Sequence, residues 1–265
     1  MRVGEYLLGC RVEDVLLDTP HAWMARVRGP DGDRVAKVRT PEAPSELHDA
    51  LRLEHRILDR VHDPNVVALH GWESVPDGWS VLLLEYVPGG ALSDRMFDGE
   101  PMAPEVAAHL MRGVLSGLEA IHQAGFVHRD LKPEHILLDD ESEPHICDLG
   151  FAKELPKGGR ERAGLSQFYS FLGTPEYMAP EQAAEPASAD RRADLFSAGC
   201  ILYELVTGHV PFEAPDDMPL LVPKILGRWE RPAGLPSWVV PALEALLAPS
   251  PGDRPATATE ALKLL

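Results

Sequence analysis

The chain is 265 residues long, 45% apolar and 25% charged, an ordinary globular composition for one large or one two-lobed domain, which excludes disordered, collagenous and coiled-coil readings. Its 25 lysines and arginines stand against 42 aspartates and glutamates, and the resulting formal charge of −17 argues against nucleic acid or an anionic membrane as the main partner. The longest charge-free run, Ala163 to Pro175, is too short to cross a bilayer, which takes about 20 mostly apolar residues.

The opening residues end in Leu7-Leu8-Gly9-Cys10, but Glu5 interrupts their short apolar stretch, so no signal segment is expected. Cys10, Cys147 and Cys200 are an odd number in a chain that needs no staples, which points to a reducing, cytoplasmic setting. The turn residues Gly29-Pro30-Asp31-Gly32-Asp33 join two hairpin strands, the second being Val35 to Val38. A helix follows, with Ser45 as its cap; Leu47, Ala50, Leu51, Leu53, Ile57, Leu58 and Val61 share one side, and Asp63-Pro64-Asn65 ends it. Val66 to Leu69 and Val81 to Val87 read as buried strands, and Pro88-Gly89-Gly90 as a flexible break between lobes. Beyond it the chain is mainly helical, over Pro104 to Gln123, Asp194 to Thr207 and Ser237 to Leu247. Two stretches interrupt the helices: short β-like runs at His135 to Leu138 and His145 to Cys147, and a segment without periodicity from Leu149 to Pro180. A structureless stretch of that length in a compact domain is usually functional.

Three motifs lie in these interruptions. His128-Arg129-Asp130-Leu131-Lys132-Pro133-Glu134-His135 is similar to the protein-kinase catalytic loop H-R-D-L-x-x-x-N, with one departure. Asp148-Leu149-Gly150 is similar to the metal-binding D-F-G, and Gly173 to Glu181 ends in Ala179-Pro180-Glu181, like the A-P-E element. One tripeptide is weak; three in this order and spacing overturn the blander readings of each residue as surface charge, turn residue or core histidine. The chain resembles a bacterial serine/threonine protein kinase domain of the eukaryotic type over essentially its whole length.

That resemblance implies a two-lobed α+β fold over residues 1–265, with a β-rich lobe at 1–87 and a helical lobe at 88–265. It also implies ATP-dependent phosphoryl transfer to serine or threonine hydroxyls of proteins, a chemistry that needs positioned phosphates, cations and a proton acceptor rather than covalent help. By the same resemblance Lys37 holds the phosphates and Glu54 pairs with it; Asp130 is the base and Lys132 contacts the transferring phosphate. Asp148 is the metal ligand. Val35, Glu85, Val87 and Leu137 line the ATP site, with Leu84 as gatekeeper. Thr174 shapes the pocket for the phosphoacceptor, and Ser166 or Ser170 takes a regulatory phosphate opposite Arg129. Asp194 ties down the catalytic loop, and Arg254 pairs with Glu181. Leu58, Leu69, His128 and Leu149 form an apolar spine. ATP and Mg²⁺ are the implied cofactors, with Mn²⁺ as an alternative cation, and proteins are the substrates; a homodimer or a regulatory partner stays open.

The departures raise a second reading, a pseudokinase serving as a nucleotide- or partner-binding scaffold. No glycine lies between Gly9 and Gly29, so the phosphate-covering G-x-G-x-x-G-x-V loop becomes Val15 to Ala22, which has Cβ atoms where backbone N–H groups should approach phosphate. His135 replaces the asparagine that offers an oxygen to a second metal, and imidazole suits softer ions than magnesium. Val35 replaces a smaller alanine against adenine. The intact Lys37, Glu54, Asp130, Lys132 and Asp148 favour the enzyme. A small-molecule phosphotransferase ranks below both, because those families lack the Gly173–Glu181 segment.

Overall fold

The computed structural model describes residues 2–74, 78–96, 99–155, 175–186, 188–214 and 219–265, and has the two-lobed α+β architecture. The amino-terminal part is an antiparallel sheet of six strands: β1 (Tyr6–Leu7), β2 (Cys10–Asp18), β3 (Ala22–Gly29), β4 (Gly32–Arg39), β5 (Leu69–Ser74) and β6 (Ser80–Glu85). Their order in the sheet is β1-β2-β3-β4-β6-β5. Gly29 pairs with Gly32, so Pro30-Asp31 make the tight turn of a hairpin. Inward residues of β2 to β4 (Val12, Ala25, Val27, Ala36, Val38) form a small apolar cluster of their own.

Helix α1 (Ser45–Leu58) crosses the chain between β4 and β5 and buries Ala50, Leu51, Leu53, Glu54, Ile57 and Leu58. Ser45 is its first residue rather than its cap: Pro44 holds the cap position and makes no side-chain bond, while the Ser45 hydroxyl turns to Glu46. Proline's preset φ suits the helix start, and the Leu47 N–H is satisfied by the Pro44 carbonyl at 3.0 Å. The strand expected at Val66 to Leu69 is shifted to Leu69–Ser74. Val66 instead bridges Ile146 and the Val67 N–H bonds the Ile146 carbonyl, which draws this stretch out of the sheet. At Pro88-Gly89-Gly90 the backbone is hydrogen-bonded to the strand Ile136–Leu138. The Gly89 N–H donates to Leu138 O at 2.8 Å and Gly90 O accepts from Leu138 N at 2.9 Å, so the crossing is stitched down. A Cβ on Gly89 would lie 2.4 Å from that carbonyl oxygen, and this close approach is what glycine provides.

The second part packs around α2 (Pro104–Gln123) and α4 (Arg192–Thr207), with α3 (Pro180–Ala184), α5 (Leu221–Ile225), α6 (Val239–Leu246) and α7 (Ala258–Leu262). Two small ribbons accompany the helices: β7 (Phe126–Val127) with β10 (Lys153–Glu154), and β8 (Ile136–Leu138) with β9 (Pro144–Ile146). One continuous core runs from Leu51, Ile57 and Leu58 of α1 through Leu149 to α2, α4 and α6, with Leu69 packed against it and His128 fully buried. Among the described residues no helix is long and apolar enough to cross a membrane.

Candidate active site

The site begins with two helical turns of α1. Glu54 lies one turn beyond Ala50 and one short of Leu58, so the apolar face that docks the helix also carries its carboxylate inward. Lys37, on β4, meets it there. The Lys37 Nζ lies 2.7 Å from Glu54 Oε1 and 3.1 Å from Asp148 Oδ1. Burial opposes the ammonium, but the charges of Asp148 and Glu54 outweigh it and hold the Lys37 pKa above its ordinary value. Lys37 in turn, more than any other group, holds the Asp148 carboxyl well below the usual carboxylate range, while burial pushes Glu54 up. Two carboxylates sharing one ammonium leave a cation fixed in place at neutral pH, and Asp148, 37% exposed, is the arm that reaches solvent.

The catalytic-loop residues are set by Asp194 at the start of α4. Its carboxylate accepts the His128 and Arg129 backbone N–H groups, each at 2.8 Å, and His122 Nε2 donates to it at 2.8 Å. This pull holds Arg129 at φ 70°, and Asp148 stands at φ 64°. Such left-handed conformations cost a non-glycine residue on the order of 1–3 kcal/mol and persist only where surrounding bonds impose them. His128 donates from Nε2 to the Cys147 carbonyl at 3.2 Å, tying the two strained loops together.

His135 sits between the two acids. Its Nδ1 lies 2.7 Å from the Asp130 carbonyl oxygen, and since that oxygen only accepts, Nδ1 carries the hydrogen. Burial lowers the His135 pKa and favours the neutral ring, so Nε2 presents a lone pair. That lone pair faces Asp148 Oδ2 at 3.3 Å. Two acceptors at this separation fit a divalent cation, and the nitrogen-plus-oxygen pair is softer than the all-oxygen set magnesium prefers. Among the described residues no three histidine, cysteine or acidic side chains form a metal cage, so phosphate oxygens and water would complete the coordination. Asp130 Oδ2 is 3.9 Å from Lys132 Nζ, and burial raises the Asp130 pKa. The Cys147 thiol, half-buried beside Asp148, is pushed up to about 12 by loss of solvation, which favours the protonated thiol over the reactive thiolate.

The β2–β3 hairpin is where the geometry departs furthest from a phosphate cradle. The Thr19 N–H bonds the Ala22 carbonyl at 2.9 Å, the Ala22 N–H bonds the Thr19 hydroxyl at 3.0 Å, and Pro20 has no N–H. Three of the four tip residues therefore have no backbone donor to spare. The tip is also tethered: Thr40 donates from Oγ1 to Pro20 O at 2.8 Å and from its N–H to His21 O at 3.2 Å. Spacing along the chain gave no sign of this tether.

The remaining residues fall as follows. Val35 pairs with Leu84 across β4 and β6, and Leu137 pairs with His145. Val87 is buried, and the Glu85 carboxylate accepts the Ala68 N–H at 3.0 Å. Arg254 grips Glu181 with two bonds of 2.6 and 2.9 Å, and Gln182, one residue on, donates to the Arg129 carbonyl at 2.8 Å. Ser166, Ser170 and Thr174 lie outside the described residues. Sequence reasoning missed Lys224, whose Nζ donates to the carbonyls of Pro175, Glu176 and Met178. The available signal was a single charge in the apolar run Pro219 to Leu226.

Comparison with known proteins bears on the whole arrangement. A family model described as the protein kinase domain matches residues 31–264, beginning just after the β2–β3 hairpin. The serine/threonine-protein kinase PknL of Mycobacterium tuberculosis is 32% identical over 77% of this chain and 50% of its own length. The serine/threonine-protein kinase PkaA of Streptomyces coelicolor is 33% identical over 87% of this chain and 42% of its own length. The chain thus spans about half the length, or less, of these two curated relatives.

Proposed function

The chain belongs to the protein kinase family, and from that premise we propose that it transfers the γ-phosphate of ATP to serine or threonine hydroxyls of protein substrates. The observation that carries this is Lys37 held between Glu54 and Asp148, with Asp130 one imidazole away from the same carboxylate. Lys37 presents a fixed positive charge to the phosphates without reorganising, the kind of contribution phosphoryl transfer depends on. Asp130, its pKa raised by burial, accepts the hydroxyl proton and orients the oxygen, and Lys132 beside it meets the phosphoryl group in transit. Asp148 and His135 would hold a divalent cation, which when bound supplies further positive charge against the phosphate oxygens. Val35, Val87, Leu137 and the backbone at Glu85 form the adenine side, and Thr174 the acceptor side. Glu181, Asp194 and Arg254 are structural supports, and Ser166 and Ser170 are the phosphate-accepting positions of the segment before Thr174.

The nitrogen ligand makes manganese the better-supported cation for this chain. The three free thiols fit a cytoplasmic setting. The intact ion-pair set favours transfer over a scaffold role.

The test is transfer of labelled phosphate from ATP to the protein and to a basic acceptor protein, in magnesium and in manganese. Asp130→Asn is expected to lose about 10²–10⁴-fold, the usual share of a general base. His135→Asn, which restores an oxygen ligand, should raise the magnesium-to-manganese rate ratio about tenfold, equivalent to ~1.4 kcal/mol in metal preference. No transfer in either metal from folded protein overturns the reading.

A further inference from the structure

Lys224 lies in α5 and is only 2% exposed. Its ammonium sits 5.7 and 5.8 Å from the ring centres of Phe196 and Phe212 and makes three hydrogen bonds, all to main-chain carbonyls: Pro175, Glu176 at 2.8 Å and Met178 at 2.8 Å. A neutral amine has two N–H groups for these three acceptors, so the arrangement calls for the ammonium form. The fourth carbonyl of the stretch, Tyr177 O, accepts from Ser197 Oγ at 2.9 Å. Four consecutive carbonyls of a segment outside any helix or strand are thus satisfied by side chains from α4 and α5, which replace the missing ladder bonds.

The same segment forms one wall of a small recess lined by Asp130, Lys132, Tyr177, Met178 and Ser197. The proposed base lines the same recess. Where the segment lies therefore sets where an acceptor peptide can lie relative to Asp130. We propose that Lys224 is a positioning residue that fixes Pro175–Met178 in the register an acceptor peptide needs, an inference that rests on the kinase reading above. It acts through the backbone of the segment and touches neither nucleotide nor hydroxyl.

Lys224→Met keeps the length and apolar stem of the side chain and removes all three donors. The expected result is a rise of about tenfold in KM for an acceptor peptide, with KM for ATP within about twofold of wild type, a split that general destabilisation does not give. Amide hydrogen exchange over residues 175–184 should speed up at least about tenfold in the same variant, a readout that needs no activity. Lys224→Gln, which retains two donors, should fall between the two and stands in where methionine does not fold. Unchanged exchange, or equal changes in both KM values, overturns the proposal. Absence of transfer by the wild-type protein counts against the kinase reading instead, while the exchange comparison still decides the role of Lys224.

Discussion

Asp194 shows how much one buried carboxylate can organise. It has no exposed surface, and burial alone would raise its pKa, yet the bonds from His122 and from the His128–Arg129 backbone bring the net value below the ordinary carboxylate range. A pKa depressed by folding gives stability that is fully present above the unfolded value, about 3.9, and is lost as pH falls through the folded value. Wild-type protein should therefore lose part of its unfolding free energy on acidification below about pH 4. Asp194→Asn offers one oxygen where two are used, so at neutral pH it should cost about 1.5–3 kcal/mol, the range for bonds to a charged group. It should also flatten the acid limb. Urea midpoints from pH 3 to pH 7 for the two proteins check both; parallel curves would mean that Asp194 is not the titrating group.

At the level of elements, the proposed phosphate transfer rests unequally on the β2–β3 hairpin and the β4–α1 pair. The pair supplies a fixed cation, whereas the hairpin spends its N–H groups on its own turn and is moored to Thr40. Pro20→Gly adds an N–H at the tip and frees the backbone, which favours a charge-assisted bond to phosphate worth ~1.5–3 kcal/mol. The added chain entropy offsets ~0.4–1 kcal/mol. KM for ATP should then fall about fivefold, or ~1 kcal/mol, and a value that is unchanged or higher would show that the hairpin does not face the phosphates. The same two elements mark what could be read in advance. The apolar spacing of α1 and the turn at Gly29–Gly32 are local patterns: the turn stands where its residues put it, and α1 starts at Ser45 as its spacing indicates but ends at Leu58 rather than running to Asp63. Local spacing could not show that Val66–Val67 leave the sheet for Ile146, nor that Gly89 is stitched to Leu138, because in each case the partner is distant in sequence. For the site, motif order drew attention to Asp130 and Asp148, which flank His135, and the resemblance built on it to Lys37 and Glu54, which pair at 2.7 Å. Lys224 and Thr40 stayed hidden, since their partners are backbone carbonyls, which carry no residue identity.

For the molecule as a whole, charge is the property least tied to the fold and most to what it meets. Ten basic residues face fifteen acidic ones up to residue 87, and fifteen face twenty-seven beyond it, so the part that carries the recess beside Asp130 is the more acidic. Near that recess the half-buried Glu204 carboxyl accepts from Tyr177 at 2.6 Å; partial burial raises its pKa first, and the negative charges of Glu134 and Glu176 add to the rise. A negative field over an acceptor recess accelerates capture of basic peptides and slows acidic ones, and it does so through the encounter step rather than the chemistry. Raising ionic strength from 0.1 M to 1 M shortens the Debye length from about 10 Å to about 3 Å and removes most of that field. Under saturating ATP, which keeps screening of the anionic nucleotide out of the comparison, kcat/KM for a lysine-rich acceptor should drop by about tenfold over this range. The same peptide with its lysines replaced by glutamine should change by less than about twofold, since it has no charge for the field to act on. Equal responses of the two peptides would assign the −17 to solubility alone and leave acceptor choice to the contacts of Tyr177 and Met178.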